Sequence, residues 1–185
     1  MDVEKITNEI TGGHTISINE VPDIELYMDQ VVNFIDRRLE HLKRHEHDKI
    51  MTSTMINNYT KAGLLKAPRK KKYESSHVLE LMLIYHLKQI LSIQDIDNFL
   101  SAVLKEDQVS LTQLYELFLE VRAGDKDWLT LNIETQLVGI ERLVAGLPAK
   151  EQESTRTNLL AMTLVLQAEL LKRTAEKLLD LKSAK

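Results

Sequence analysis

From Ile24 onward the apolar residues of this chain recur at steps of three and four, and that period is the strongest limit on what it can fold into. Side chains spaced this way share one face of an α-helix. Ile24, Met28, Val31, Ile35, Leu39 and Leu42 predict a first amphipathic helix, capped by Asp23 and running to about Arg44. A shorter helix follows from Thr52 to Ala62, with Thr52 as its cap and Gly63 as the residue able to turn left-handed at its end. Ser75 or Ser76 can cap a third, with Val78, Leu81, Ile84, Tyr85 and Leu87 inside. Ser92-Ile-Gln-Asp95 and Ser110-Leu-Thr-Gln113 both have the spacing in which cap and third residue satisfy each other's amides, so each predicts a helix start. The second of these helices carries Leu114, Leu117, Phe118 and Val121 and stops at Gly124.

Beyond Gly124 the chain reads as a helical hairpin. Ile133, Leu137, Ile140, Val144 and Leu147 form one stripe, Gly146-Leu-Pro148 breaks it, and Leu160, Leu164, Leu171, Leu178 and Leu181 mark a long final helix. No strand of normal length is predicted, and the fold class expected is all-α. Only nine of the 185 residues are aromatic, so aliphatic side chains must fill the interior. Without cysteine the chain has no disulfide, no thiolate metal site and no thiol nucleophile, as suits a reducing compartment. Neither a long apolar run nor a leader pattern is found, so a cytoplasmic protein without membrane contact is expected.

The net charge of −4 conceals a segregation. Residues 37–72 hold eleven Lys and Arg against three acids, or +8, whereas the rest of the chain carries thirteen bases against twenty-five acids, or −12. A basic block within an acidic chain is a phosphate-binding footprint when the fold gathers it on one face, and otherwise a solvated surface. The helix Thr52–Ala62 lies inside it. With Met51, Ile56 and Tyr59 inward, Thr54, Asn57, Asn58 and Lys61 face outward, and such side chains suit a DNA major groove: an Asn amide pairs bidentately with adenine, and Lys reaches guanine or phosphate. Pro68 then blocks helix continuation, and Arg69, Lys70, Lys71 and Lys72 predict an exposed turn or small wing able to grip phosphates.

His41 and His45, four apart with His47 nearby, have a spacing that serves a metal on a helix. The surrounding cations and the lack of a third ligand argue against it, so no metal is expected. His77 and His86 read as a helix-start residue and a surface or core residue. No phosphate loop, dinucleotide fingerprint or nucleophile elbow is found, and neither a cofactor nor catalysis is expected.

The stretch Met51-Thr-Ser-Thr-Met-Ile-Asn-Asn-Tyr-Thr-Lys-Ala-Gly-Leu-Leu65 resembles the second helix of MerR-type helix-turn-helix regulators. The likeness continues through Tyr73-Glu-Ser-Ser-His-Val78, the spacing of Leu81, Ile84, Leu87 and Lys88, and Ser92-Ile-Gln-Asp-Ile96, covering about residues 49–100. Thr54, Asn57 and Asn58 stand where that family commonly has arginines and a tyrosine facing DNA, so its particular contacts do not transfer. Leu26-Tyr-Met-Asp-Gln30, Met55-Ile-Asn-Asn-Tyr59 and Lys70-Lys-Lys-Tyr73 make the chain more similar to the bacterial family called domain of unknown function 1836. That resemblance implies a fold and no activity.

The expected organisation is a flexible arm at 1–22, a helix-turn-helix domain at 23–105 and an acidic helical lobe at 106–185 serving dimerisation or effector binding. The expected function is that of a transcriptional regulator binding double-stranded DNA as a homodimer. Two alternatives remain open: a protein–protein interaction module that keeps the helix-turn-helix shape, and a sensor of a small-molecule effector in which Trp128 and Met162 line a pocket or are plain core.

Overall fold

The structure is a computed structural model and describes residues 1–13, 15–106 and 108–183. Helices dominate: α1 (Val3–Thr11), α2 (Met28–Arg38), α3 (Ser53–Lys61), α4 (Ser75–Lys88), α5 (Ile93–Ser101), α6 (Leu111–Ala123), α7 (Asp125–Val144) and α8 (Ala149–Ser183). A single π-helical turn, Ala102–Glu106, extends α5, and short 3-10 turns lie at Ile18–Glu20 and Glu40–Leu42. Two strands of two residues each, β1 (Leu26–Tyr27) and β2 (Lys72–Tyr73), pair antiparallel with Leu26 opposite Tyr73. No described helix is long and apolar enough to cross a membrane.

The helix starts follow local chemistry. The Thr52 hydroxyl accepts from the Met55 amide at 3.1 Å. At the start of α5 Ser92 and Asp95 exchange bonds, the Asp95 amide donating to Ser92 Oγ and the Ser92 amide to Asp95 Oδ2. Ser110 and Gln113 do the same at α6. At α4 the cap is neither Ser75 nor Ser76 but Glu74, whose amide donates to Nδ1 of His77 at 3.0 Å. The buried His77 imidazole, at the third helical residue, accepts the amide of the cap itself, and its burial depresses the His77 pKa against the raising effect of nearby Glu74.

Contacts divide the chain into two units, residues 13–122 and residues 1–12 with 123–182. The first holds the larger core, including Val31, Ile35, Leu39, Ile56, Leu65, Leu81, Met82, Ile84 and Ile96, each almost wholly buried. The stretch read as an arm contributes Ile16, and the Tyr115 hydroxyl of α6 donates to the Ile16 carbonyl at 2.7 Å. Burial pushes that phenol up to about 12.

The first predicted helix is shorter than its apolar stripe. Leu26 and Tyr27 are extended because they pair with β2, leaving Ile24 exposed, and the Tyr27 amide is capped by the Gln30 side chain at 2.8 Å. At the other end Leu39 leaves helical geometry. Asp36 then holds the returning chain, accepting from the Ile50 amide at 3.2 Å and from Lys43 Nζ at 2.8 Å.

In the second unit α1 packs on α7, with Thr130 Oγ1 donating to Thr7 Oγ1. Its core is small: Ile133, Ile140, Val144 and Leu160, with Val3, Leu129, Leu137, Leu159 and Leu164 partly buried against them. The chain breaks at residues 145–148 as Gly146 and Pro148 predict. The stripe of the last helix, however, is not buried along its length. Leu160 is buried and Leu164 partly so, but Leu171, Leu178 and Leu181 are exposed. Trp128 and Met162, read as pocket lining or core, are each more than half exposed.

Candidate nucleic-acid interface

Helix α3 presents two faces with different chemistry. Ile56 and Tyr59 are buried, Met51 precedes them in the core, and the helix packs on α2. Gly63 ends it with φ +77°, a left-handed conformation that costs a side-chain-bearing residue energy. The Leu64 amide donates back to the Tyr59 carbonyl at 3.0 Å, the closure expected when such a residue follows the cap. Because the inward positions are fixed, Thr54, Asn57, Asn58 and Lys61, spaced three, one and three apart, come out together on the solvent side. All four are exposed, and among the described residues none of their side chains has a hydrogen-bond or ion-pair partner. The four positions expected to face outward are thus the exposed ones.

The basic segment forms a tight turn. The Lys72 amide donates to the Arg69 carbonyl at 3.0 Å, and Arg69 and Lys72 bridge antiparallel. Lys70 and Lys71 both take positive φ, +51° and +64°. Two consecutive left-handed residues are the signature of a type I′ turn, whose preferred occupants are Asn-Gly and similar pairs. Here two cations with full side chains fill it. Arg69, Lys70 and Lys71 are exposed and lack side-chain partners among the described residues. Lys72 differs: its ammonium meets Glu25 Oε2 at 2.8 Å, a bond that raises its pKa. A shallow cleft of about 200 Å³ lies among Glu25, Arg69, Lys70 and Lys72. Of the four predicted phosphate contacts, three are free and one is already engaged.

Helix α2 supports both surfaces, since α3 and β2 each pack against it. Its own outer side carries Gln30, Asn33, Phe34, Arg37 and Arg38 around a shallow depression. Arg38 lies over the Phe34 ring at 5.8 Å and pairs with Glu20 at 2.8 Å. Arg37 is exposed and without a partner among the described residues, a free cation that the charge count included but the sequence did not single out. Asp36 was missed altogether. Burial opposes its ionisation, but hydrogen bonds from Lys43 and the Ile50 amide, with the Lys43 and Lys49 charges, outweigh that and hold its pKa below the usual carboxylate range.

The link between α2 and α3 spans residues 39–52, longer than the three or four residues of a tight helix-turn-helix. The histidine spacing also loses its premise there. Because α2 stops at Arg38, His41 and His45 do not share a helix face, and both are exposed with His47. Among the described residues no three His, Cys, Asp or Glu side chains are grouped to hold a metal. His86 packs against the rings of Tyr85 and Phe118 at 5.1 and 5.2 Å, and His77 against Tyr73 at 5.5 Å, so both belong to the interior packing.

No curated protein and no solved structure matches the chain. Residues 16–118 match the family described as Domain of unknown function (DUF1836). The match begins at Ile16 and reaches past Tyr115, the two ends that the buried hydrogen bond joins, and it leaves α7 and α8 outside. More than half of the chain is thus accounted for by one family, and the chain belongs to the domain of unknown function 1836 family.

Proposed function

We propose that this protein is a non-catalytic, cytoplasmic regulator of transcription that binds double-stranded DNA with a MerR-like helix-turn-helix. In this reading α3 enters the major groove with Thr54, Asn57, Asn58 and Lys61, and the turn at Arg69–Lys71 holds the phosphate backbone on either side of Lys70. The observation that carries the reading is the turn. Lysines at φ +51° and +64° occupy positions where local energetics favour asparagine and glycine, and backbone strain of this kind concentrates at functional sites. A cation projecting from a tight reverse turn is well placed to meet a phosphate. The unpaired amides of Asn57 and Asn58 on the neighbouring sequence element supply the donors and acceptors that base edges require.

The competing reading is an interaction module whose basic surface meets an acidic protein, and the long link between α2 and α3 favours it. Binding of duplex DNA followed across a salt series separates the two. For the DNA reading, affinity falls steeply with salt, and replacing Arg69, Lys70 and Lys71 by Ala makes the slope of log K against log salt shallower by about 0.9 for each phosphate that is no longer neutralised. An unchanged slope refutes the assignment of this turn, and no duplex binding at low salt refutes the reading itself.

A further inference from the structure

The basic turn holds a carboxylate among its cations. In the short ladder Leu26 and Tyr73 are both buried, so their neighbours Glu25, Tyr27 and Lys72 come to the opposite, outer face. Glu25 and Lys72 lie diagonally across the ladder there, and the Lys72 ammonium donates to Glu25 Oε2 at 2.8 Å. Arg69 and Lys70 complete the lining of a cleft of about 200 Å³ around that pair. Neither of them has a side-chain partner among the described residues. One acid therefore meets three cations, and the cleft keeps a surplus of positive charge.

The pair adds little to the fold. Its side chains are 38% and 47% exposed, and ion pairs this open contribute weakly because water competes for both ends. Burial of Leu26 and Tyr73 already fixes the register of the two strands. What the carboxylate does hold is one member of the basic run, since its hydrogen bond and its charge both keep the Lys72 ammonium protonated and engaged. A carboxylate and a phosphate offer such a cation the same chemistry, a pair of oxygens sharing negative charge and accepting charge-assisted bonds. The two therefore compete for Lys72. At roughly 30 Å³ for each water, the cleft has room for a phosphate group beside the carboxylate.

We propose that Glu25 is an internal competitor for phosphate: the cleft of Arg69, Lys70 and Lys72 binds one phosphate group, a backbone phosphodiester in the DNA reading, and Glu25 must release Lys72 before all three cations can hold it. The identity of the ligand as duplex DNA rests on the function proposed above; the competition at Lys72 does not. Exchange of carboxylate for phosphate leaves Glu25 uncovered, so the wild-type protein gains little net counterion release at Lys72. The device thus lowers the sequence-independent part of affinity, which phosphate contacts supply, and leaves the outward side chains of α3 untouched.

Glu25→Gln keeps the size of the side chain, removes its charge and tests the proposal in the full chain. With a random-sequence duplex followed across a salt series, E25Q is expected to bind about two- to fivefold more tightly at low salt, the weight of an exposed ion pair. Its slope of log K against log salt is expected to steepen by about 0.9, for the one phosphate that Lys72 now neutralises. Lys72→Ala is expected to leave the wild-type slope nearly unchanged and to abolish the E25Q gain. A gain that survives Lys72→Ala comes from overall charge and overturns the proposal, as does an E25Q slope equal to that of wild type. Inorganic pyrophosphate, titrated while the Lys72 side-chain NMR resonances are followed, frees the test from duplex binding. E25Q is expected to take it more tightly than wild type by the same factor, and equal affinities overturn the competition. If no duplex binds while that pyrophosphate difference holds, the DNA reading falls and the phosphate cleft stands.

Discussion

Replacing Lys70 by Asn and Lys71 by Gly should make the protein more stable and a poorer ligand for nucleic acid at once. Both lysines sit in the left-handed region, at φ +51° and +64°, where a residue with a full side chain pays roughly 1–2 kcal/mol and Gly nothing. Asn tolerates the same conformation better than Lys because its short polar side chain bonds locally. Against this gain stands the larger conformational freedom that Gly has in the unfolded chain, about 0.5–1 kcal/mol. The net expectation is about 1 kcal/mol of added stability, or roughly 4–8 °C in the melting temperature of a unit this size. Relief of repulsion among adjacent cations would raise stability too, so the melts belong in about 1 M salt, where the screening length is near 3 Å. Lys70→Ala with Lys71→Ala is the control: it removes the same charges and keeps the strain. The Asn-Gly protein should melt above both wild type and the Ala pair, while both variants lose the same share of salt-dependent DNA affinity. If the Asn-Gly protein melts no higher than the Ala pair, the turn is not strained and the central argument for its function is wrong.

Two further tests address α3 and its support. Asn57→Ala or Asn58→Ala should cost about 1–3 kcal/mol at one base position with non-specific binding nearly intact, whereas Lys61→Ala should weaken all sequences alike; competition against single-base variants of a selected site reads this, and Asn variants that bind every sequence as well as wild type exclude α3 from the groove. Asp36→Ala should lower stability by about 1.5–3 kcal/mol, because the Ile50 amide and the Lys43 ammonium both lose a charged acceptor. Since the folded pKa of Asp36 lies below its ordinary 3.8, its contribution is complete above that pH and is lost as pH falls through the lowered value. Acid-unfolding curves of the variant should therefore lack that part of the wild-type slope, and a variant within about 0.5 kcal/mol of wild type, the scatter of a neutral surface change, contradicts the role given to Asp36.

Much of the candidate site was readable in one dimension. The outer face of α3 follows from its inner face, because a period of 3.6 leaves no other direction for Thr54, Asn57, Asn58 and Lys61 once Ile56 and Tyr59 are buried. The turn was readable as a turn, since Pro68 and four cations exclude a helix, but its backbone conformation was not: intrinsic preference at Lys70 and Lys71 points away from positive φ. Nor could the sequence single out Asp36 among the acids, for its partners lie seven and fourteen residues downstream across a link of irregular shape.

What the sequence determined by itself were the features whose partners lie within a few residues: the caps at Thr52, Ser92 and Ser110, the left-handed stop at Gly63 and the break at Gly146–Pro148. Those hydrogen bonds close inside one helical turn, so composition and spacing specify them. Tertiary structure alone decided where α2 begins, because Leu26 is taken into a strand by Tyr73, forty-seven residues away in a ladder too short to show a period. It alone joined Ile16 to Tyr115 and set the His77 imidazole to accept the amide of Glu74, the cap of α4. It also decided which apolar stripes are covered. Periodicity states that a helix has an apolar face, but only the length of the neighbouring helix determines that Leu160 is inside and Leu178 is not.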